Sequence, residues 1–296
     1  MYKLIPRITG GIGNQLFTYA AARRLALVNS LDLVIDHVSG FQFDIVYKRD
    51  YQLDHFNIPC RKASAIERME PFSRIRRYIM VKWSQCLPFE KRGYIKQESN
   101  NFDKRLISYL AHSDTYIEGY WQSEKYFKDV EIIIRKDLKI TPPRDSINLA
   151  IATHIKLLNS ISVHVRFFDD PQKCDNNNNV PQDYYIRAIN AMECFQPGAH
   201  YFIFSDKPDL ARTLIPLPDD RVTVVKHNKG QHNAYADLWL MTKCKHFIIA
   251  NSTFSWWGAW LSDNKSKQVI APGYTSQSKK SGWGFDGLLP EEWIKL

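Results

Sequence analysis

The sequence predicts an α/β protein whose two halves each build a parallel β-sheet covered by helices. Three observations predict it. The apolar stretch Leu4-Ile5-Pro6-Arg7-Ile8 runs into the glycine-rich Gly10-Gly11-Ile12-Gly13-Asn14-Gln15, after which Leu16, Ala20 and Leu27 recur at helical spacing. In the second half, short apolar segments alternate with helical ones, the pattern of a sheet sheltered on both faces. Between the halves, Thr141-Pro142-Pro143-Arg144-Asp145 sets two helix-stopping prolines among polar residues and reads as a linker. The expected domains are therefore residues 1–145 and 146–296.

In the first half the strands expected are 2–8, 31–36 and 115–120, with a helix over 15–28. Three glycines at the end of a strand let backbone N–H groups approach a ligand closely, and the helix N-terminus that follows favours an anion. The same run also makes a plain tight turn between strand and helix. It is not the dinucleotide fingerprint, because Leu16 stands where the last glycine of G-x-G-x-x-G belongs. Asn14 and Gln15 place two carboxamides at the mouth of the helix. The segment 61–110 reads as a mixture of helix and irregular chain.

The second half is more regular. Strands are expected at 161–166, 201–205, 221–225, 246–251 and 267–271, with helices at 184–194, 234–244 and 254–261. Ligands of such sheets sit at the carboxyl ends of the strands. Three of those ends carry polar clusters: Arg166, Ser205-Asp206 and Asn251-Ser252-Thr253. The polar run from Lys173 to Asn179 is a loop, either facing solvent or lying over the site.

Composition narrows the classes. A hydrophobic content of 44% over 296 residues supports buried cores and excludes a disordered chain. No run of about 18 apolar residues is present, so no transmembrane helix is expected. The N-terminus already reads as a strand rather than a secretory leader, which makes the cytoplasm the expected compartment. Five cysteines (Cys60, Cys86, Cys174, Cys194, Cys244) are odd in number and form no C-x-x-C pair, fitting free thiols. The net charge of +9 gathers between Arg61 and Arg105, where twelve basic residues face five acidic ones. This region reads either as a solvated face or as a peripheral contact with an anionic inner membrane surface. Arg74-Ile75-Arg76-Arg77-Tyr78 and Lys82-Trp83 set basic beside apolar groups there. No nucleic-acid partner is expected, because no nucleic-acid-binding module accompanies the charge.

Several groups carry candidate chemistry. In Ile161-Ser162-Val163-His164-Val165-Arg166, period-two alternation puts Ile161, Val163 and Val165 on the core face and Ser162, His164 and Arg166 on the other. An arginine ending a buried strand needs an anion: a diphosphate held by its fork, or a structural carboxylate such as Asp169 or Asp170. Ser205-Asp206 and Ser252-Thr253 are each either helix caps or contacts to a phosphate. Asp237 reads as a helix cap. Trp256, Trp257 and Trp260 read as core or as a stacking surface for a sugar. The sequence contains no D-x-D, H-E-x-x-H or G-x-S-x-G, so no metal site is expected.

Three segments carry a family resemblance. Residues 237–261, beginning Asp-Leu-Trp-Leu-Met and passing through Asn251-Ser252-Thr253-Phe254, resemble the bacterial α-1,2-fucosyltransferases, whose family also holds the animal blood-group H enzymes. Gly10-Gly11-Ile12-Gly13-Asn14-Gln15-Leu16-Phe17 and the run from Gly119 to Phe127 are similar to two further segments of that family. The resemblance implies a GT-B-like fold, two Rossmann-like domains facing across a cleft, with the acceptor side first and the GDP-fucose side second. It implies an inverting, metal-independent transfer of L-fucose from GDP-fucose, a substrate and not a cofactor, to a galactoside 2-hydroxyl. The acceptor would be a galactose-containing oligosaccharide, lipid-linked in the case of O-antigen synthesis. Arg166 and Asn14 would act in catalysis, and Gly11, His164, Arg166, Ser205, Asp206, Asp237, Asn251, Ser252, Thr253 and Phe254 would bind the donor. Asp237 would accept hydrogen bonds from guanine. Asp169, Asp170 and Glu124 are the candidate bases. The family's His-x-Arg-Arg-x-Asp run is matched at His164 and Arg166, whereas Phe167 replaces the second arginine. That departure leaves open a non-catalytic binder of nucleotide sugars or glycans, and a fucosyltransferase of another linkage is a second alternative.

Overall fold

The computed structural model describes residues 1–45, 47–169, 178–273 and 283–296. Asp170 and residues 173–177 of the polar loop lie outside the described residues. The chain divides into two compact units, residues 1–139 with 286–288, and 140–285 with 289–296. The division falls ahead of the prolines, and Pro142–Asp145 introduces a helix of the second unit. The Asp145 carboxylate caps that helix by accepting the Asn148 N–H at 2.8 Å.

In the first unit β1 (Lys3–Pro6) leads into α1 (Ile12–Val28), followed by β2 (Asp32–Ile35), β3 (Arg61–Lys62), α2 (Ser73–Gln85), β4 (Tyr94–Lys96), α3 (Lys104–Ile107), β5 (Thr115–Glu118) and α4 (Glu131–Asp137). Among the described residues five strands pair in the order β3-β2-β1-β5-β4, all parallel. Helix α1 starts three residues earlier than the apolar spacing indicates. Gly10 turns the chain at φ +76°, a conformation that favours glycine, and Gly11 then serves as N-cap, so Gly13 and Asn14 join the first turn. The basic segment is more ordered than expected, supplying both edge strands and α2. That helix is tied to the sheet by the buried pair Arg77 Nη2–Asp36 Oδ2 at 2.7 Å.

In the second unit α5 (Ser146–Leu157) precedes β6 (Ser160–Val165), α6 (Gln182–Phe195), β7 (His200–Ser205), α7 (Pro208–Thr213), β8 (Val222–Val225), α8 (Ala234–Met241), β9 (His246–Ile248), α9 (Thr253–Leu261), β10 (Val269–Ala271) and β11 (Ile294–Lys295). Six described strands pair in the order β11-β10-β9-β6-β7-β8, again all parallel. Strand β6 lies inside the sheet and is buried along its whole length. Ile161, Val163 and Val165 do join the core, but Ser162 and His164 on the opposite face are covered too, as befits a central parallel strand. Trp256, Trp257 and Trp260 of α9 are core residues that pack against one another, with ring centroids 4.9 to 6.1 Å apart. They leave no exposed stacking surface. Among the described residues, no helix is long and apolar enough to cross a membrane.

Candidate active site

Each sheet reverses its strand order once, and each reversal carries a sequence motif. In the second unit β6 is followed outward by β7 and β8, then β9 enters on its other side. The crevice at the carboxyl ends of β6 and β9 is thus the switch point where sheets of this kind bind ligands. Arg166 follows β6, Ser205-Asp206 ends β7, and Asn251-Ser252-Thr253 lies just past β9.

Arg166 pairs with Asp206, Nη1 to Oδ2 at 3.3 Å, and its guanidinium lies 5.4 Å over the Phe168 ring. Its structural partner is therefore Asp206, not Asp169. Asp206 also accepts the Phe167 N–H at 3.1 Å. Helix α7 opens with Pro208 after Lys207, so Asp206 is not its cap, and the Ser205 hydroxyl accepts the Lys207 N–H at 3.1 Å. Phe167, at the position of the missing arginine, is buried in the core, with Lys207 Nζ 5.8 Å from its ring. The His164 ring stands 5.5 Å from that of Phe254. Burial, and after it the Arg166 charge, pulls its pKa down to about 3, so the imidazole is neutral. His164 Nδ1 and Asn251 Oδ1 are both buried without a hydrogen-bond partner among the described residues. His164 lies two residues before Arg166 on β6 and Asn251 follows the neighbouring β9, so both orphaned atoms belong to this switch point, where a polar ligand would satisfy them. Ser252 is the N-cap of α9, its hydroxyl accepting the Phe254 N–H at 3.3 Å, and Thr253 begins the helix.

Asp169 does not point freely into this crevice. Its carboxylate accepts the backbone and side-chain N–H groups of Asn178 at 2.7 and 2.9 Å, while Asn251 donates to the Asn178 carbonyl at 2.8 Å.

Asp237 is the fourth residue of α8 and not its cap. Asn228 donates to its Oδ1 at 2.8 Å and exchanges two hydrogen bonds of 2.9 Å with Asn148, which reaches Asp145. Burial pushes the Asp237 carboxyl up to about 7, against the opposing pull of the Asn228 hydrogen bond.

In the first unit the switch point lies between β1 and β5, where the glycine loop meets the segment from Gly119 onward. Gln122 donates to Asn14 Oδ1 at 2.8 Å, and the Thr18 hydroxyl to the Gly119 carbonyl at 2.9 Å. A side chain at Gly10 would meet Asn14 and the Tyr120 hydroxyl at 3.0 Å, and one at Gly11 would collide with the Arg49 guanidinium. Gln15 is not available to a ligand: its carboxamide binds the Gly10 and Asp50 carbonyls and the Gln52 N–H at 2.8 to 2.9 Å. Glu124 forms an ion pair with Lys128 at 3.0 Å.

A cavity of about 280 Å³ beside this point is lined by Arg7, Thr9, Lys96, Gln97, Glu118 and Tyr120, among others. Sequence reasoning missed these residues. Arg7 and Lys96 reach Glu118 at 3.5 and 3.1 Å. Burial favours the protonated Glu118, but the Tyr94 hydroxyl and the two cations outweigh it and hold the carboxyl below its usual pKa. A sequence signal did exist, since Arg7 and Glu118 each stand at or just past the end of an apolar strand. Among the described residues, no group of three His, Cys, Asp or Glu side chains is placed to hold a metal.

Two Rossmann-like units, each with polar motifs at its switch point, give the chain a fold of the GT-B class. The profile of glycosyl transferase family 11 matches residues 64–296, and the chain belongs to that family. It is 27% identical to an α-1,2-colitosyltransferase of Escherichia coli, covering 99% of this chain and 98% of the relative. It is 29% identical to the O-antigen biosynthesis glycosyltransferase WbnK of Escherichia coli, covering 98% and 99%. A galactoside 2-α-L-fucosyltransferase of Caenorhabditis elegans is 28% identical over all of this chain and 80% of its own. Among solved structures, NodZ α-1,6-fucosyltransferase soaked with GDP-fucose is similar at a TM-score of 0.51, with 16% identity over 96% of this chain and 97% of that one. An Arabidopsis thaliana FUT1 mutant in complex with GDP reaches 0.54, with 13% identity over 99% and 76%. At these identities the two structures bear on the fold alone.

Proposed function

We propose that the protein transfers L-fucose from GDP-fucose to the 2-hydroxyl of a galactoside, inverting the donor to give an α-1,2 linkage, in O-antigen assembly. The observation that carries this reading is the switch point at the ends of β6 and β9, to which Arg166, His164 with its unpartnered Nδ1 and Asn251 with its unpartnered Oδ1 all belong. The names of the Escherichia coli and Caenorhabditis elegans relatives support the chemistry. In the reaction the acceptor oxygen attacks the anomeric carbon, the bond to the β-phosphate oxygen breaks, and its electron pair leaves with GDP. The acceptor proton passes to a carboxylate or to water. Arg166, oriented by Asp206, stabilises the charge growing on the diphosphate, with the N-terminus of α9 at Ser252 and Thr253 assisting. Asp237 receives the guanine N–H groups, and Asn14, held by Gln122, orients the acceptor or the donor phosphate.

A second reading, colitose as the sugar transferred, is favoured by the first of those relatives. Incubation with GDP-fucose and a panel of galactosides, following GDP release and product linkage, tests the proposal. The expected result is acceptor-dependent GDP release with an α-1,2 product at a rate unchanged by EDTA. A product in another linkage, or turnover only with the colitose donor, replaces the specificity. A rate abolished by EDTA and restored by Mg²⁺ or Mn²⁺ ends the metal-free mechanism. GDP-fucose binding with no transfer to any acceptor makes the protein a non-catalytic relative.

A further inference from the structure

Helix α2 buries polar residues and exposes apolar ones. Its buried residues are Arg77 and Ser84. Arg77 donates to the Asp36 carboxylate at 2.7 Å and to the Arg68 carbonyl at 2.8 Å, and the Ser84 hydroxyl accepts the Tyr94 N–H at 3.1 Å. On the other side Ile75, Ile79 and Trp83, spaced four residues apart, form one outward stripe, each more than half exposed and Trp83 71% exposed. Tyr78 and the preceding Phe72 are exposed beside it. An ordinary surface helix turns such a stripe inward. Here the inward ion pair fixes the rotation, because turning the helix would carry Arg77 away and strand the Asp36 carboxylate in the interior.

The helix itself carries charge of one sign. From Glu70 to Glu90 no acidic residue intervenes in the sequence, Arg76 and Lys82 are exposed on either side of the stripe, and Arg74 is exposed in the first turn. Arg74 lies 5.5 Å over the Phe43 ring and Lys82 5.9 Å over that of Tyr78, so cations and aromatic rings share one surface. We propose that this face docks on an anionic lipid bilayer, with Ile75, Ile79 and Trp83 entering the boundary between headgroups and acyl chains. Arg74, Arg76 and Lys82 then meet the lipid phosphates. Aromatic and aliphatic side chains flanked by cations match the layering of that boundary. A second copy fits poorly, because a two-fold interface centred on α2 sets these three cations against their own counterparts. The inference is independent of the donor and acceptor proposed above.

The test is co-sedimentation of the full chain with vesicles of phosphatidylcholine alone and of phosphatidylcholine mixed with phosphatidylglycerol. Binding to the anionic vesicles is expected to be at least ~10-fold tighter and to collapse at ~0.5 M salt. Arg74→Gln with Lys82→Gln lowers that affinity roughly 30-fold. Ile79→Ser with Trp83→Ser lowers it at least ~10-fold, and both pairs keep the wild-type melting temperature because the side chains are exposed. Equal affinity for neutral vesicles, no binding at low salt, or variants that bind like wild type overturn the proposal. So does a concentration-dependent dimer that Ile79→Ser dissolves in a chain that ignores vesicles.

Discussion

Arg166 has a partner already, and that partner defines what its loss should do. Asp206 holds the guanidinium at 3.3 Å and the Phe168 ring lies 5.4 Å beneath it, at the end of β6. Arg166→Ala leaves a partly exposed carboxylate unpaired, which folding tolerates, but removes a preorganised donor, so the rate should fall at least ~10²-fold with melting unchanged. A variant with near-normal turnover would take Arg166 out of the mechanism. Asp237 makes a separate prediction through pH. Its folded pKa of about 7 lies above the ordinary 3.8, so between those values the folded chain keeps a proton that the unfolded chain loses. Its contribution to stability therefore falls as pH rises from about 4 to about 7 and is level above. Guanine needs the ionised carboxylate, so GDP affinity should rise with pH up to about 7. Asp237→Asn should flatten that profile and weaken GDP more than pyrophosphate, as titration calorimetry can show. Equal losses for both ligands would leave Asp237 a structural group. His164 works the other way. Its depressed pKa means that acid destabilises the fold below the ordinary value of 6.5, by up to about 1.4 kcal/mol per pH unit.

At the level of elements, the pair Asp36–Arg77 decides how α2 lies. Asp36→Ala leaves the buried Arg77 without its counter-charge and should cost about 3–5 kcal/mol in denaturant unfolding, and adding Arg77→Met should recover most of it. If the double variant is as unstable as the single one, the pair is not what anchors the helix. The pair was not legible in the sequence, because forty-one positions separate the partners and Arg77 sits in a basic run that reads as a solvated face. The larger alternation was legible, since β1, β2, β5 and the strands from β6 to β10 each hold enough apolar residues to show a pattern. Strands β3 and β11, two residues long, and β4, three, show none. On β6 the period-two reading placed the alternation well but set His164 only on the face opposite the core residues, without its depth of burial. A central strand is covered on both sides, and a lone histidine does not announce that burial. At the site, Arg166, Ser205-Asp206 and Asn251 were readable because polar residues ending apolar strands are conspicuous. Their pairing was not, nor was Asn228, which is joined to Asp237 only through the fold. Gln15 looked like Asn14 in sequence, yet its amide is spent on three backbone groups.

For the whole molecule, a boundary drawn at a single linker overlooks the C-terminal segment, which serves both units. Residues 286–288 belong to the first unit, where Phe102 donates to the Asp286 carbonyl at 3.3 Å and Leu288 is fully buried. The chain then rejoins the second unit, where Trp293 packs 5.5 Å from Trp256 and β11 pairs with β10. Leu296 and Ala271 share a backbone hydrogen bond of 3.1 Å there. One short tail therefore supplies a large buried side chain to each core. Leu288→Ala should cost about 2–5 kcal/mol and Trp293→Ala about 3–5 kcal/mol, each in its own unit. Two cores in one chain need not unfold together, so hydrogen exchange resolved by peptide is the appropriate measurement. Leu288→Ala should speed exchange in β1 to β5, and Trp293→Ala in β9, α9 and β10. Deletion of residues 286–296 should do both at once. If Leu288→Ala loosened only peptides of the second unit, the tail would not be shared between the two cores.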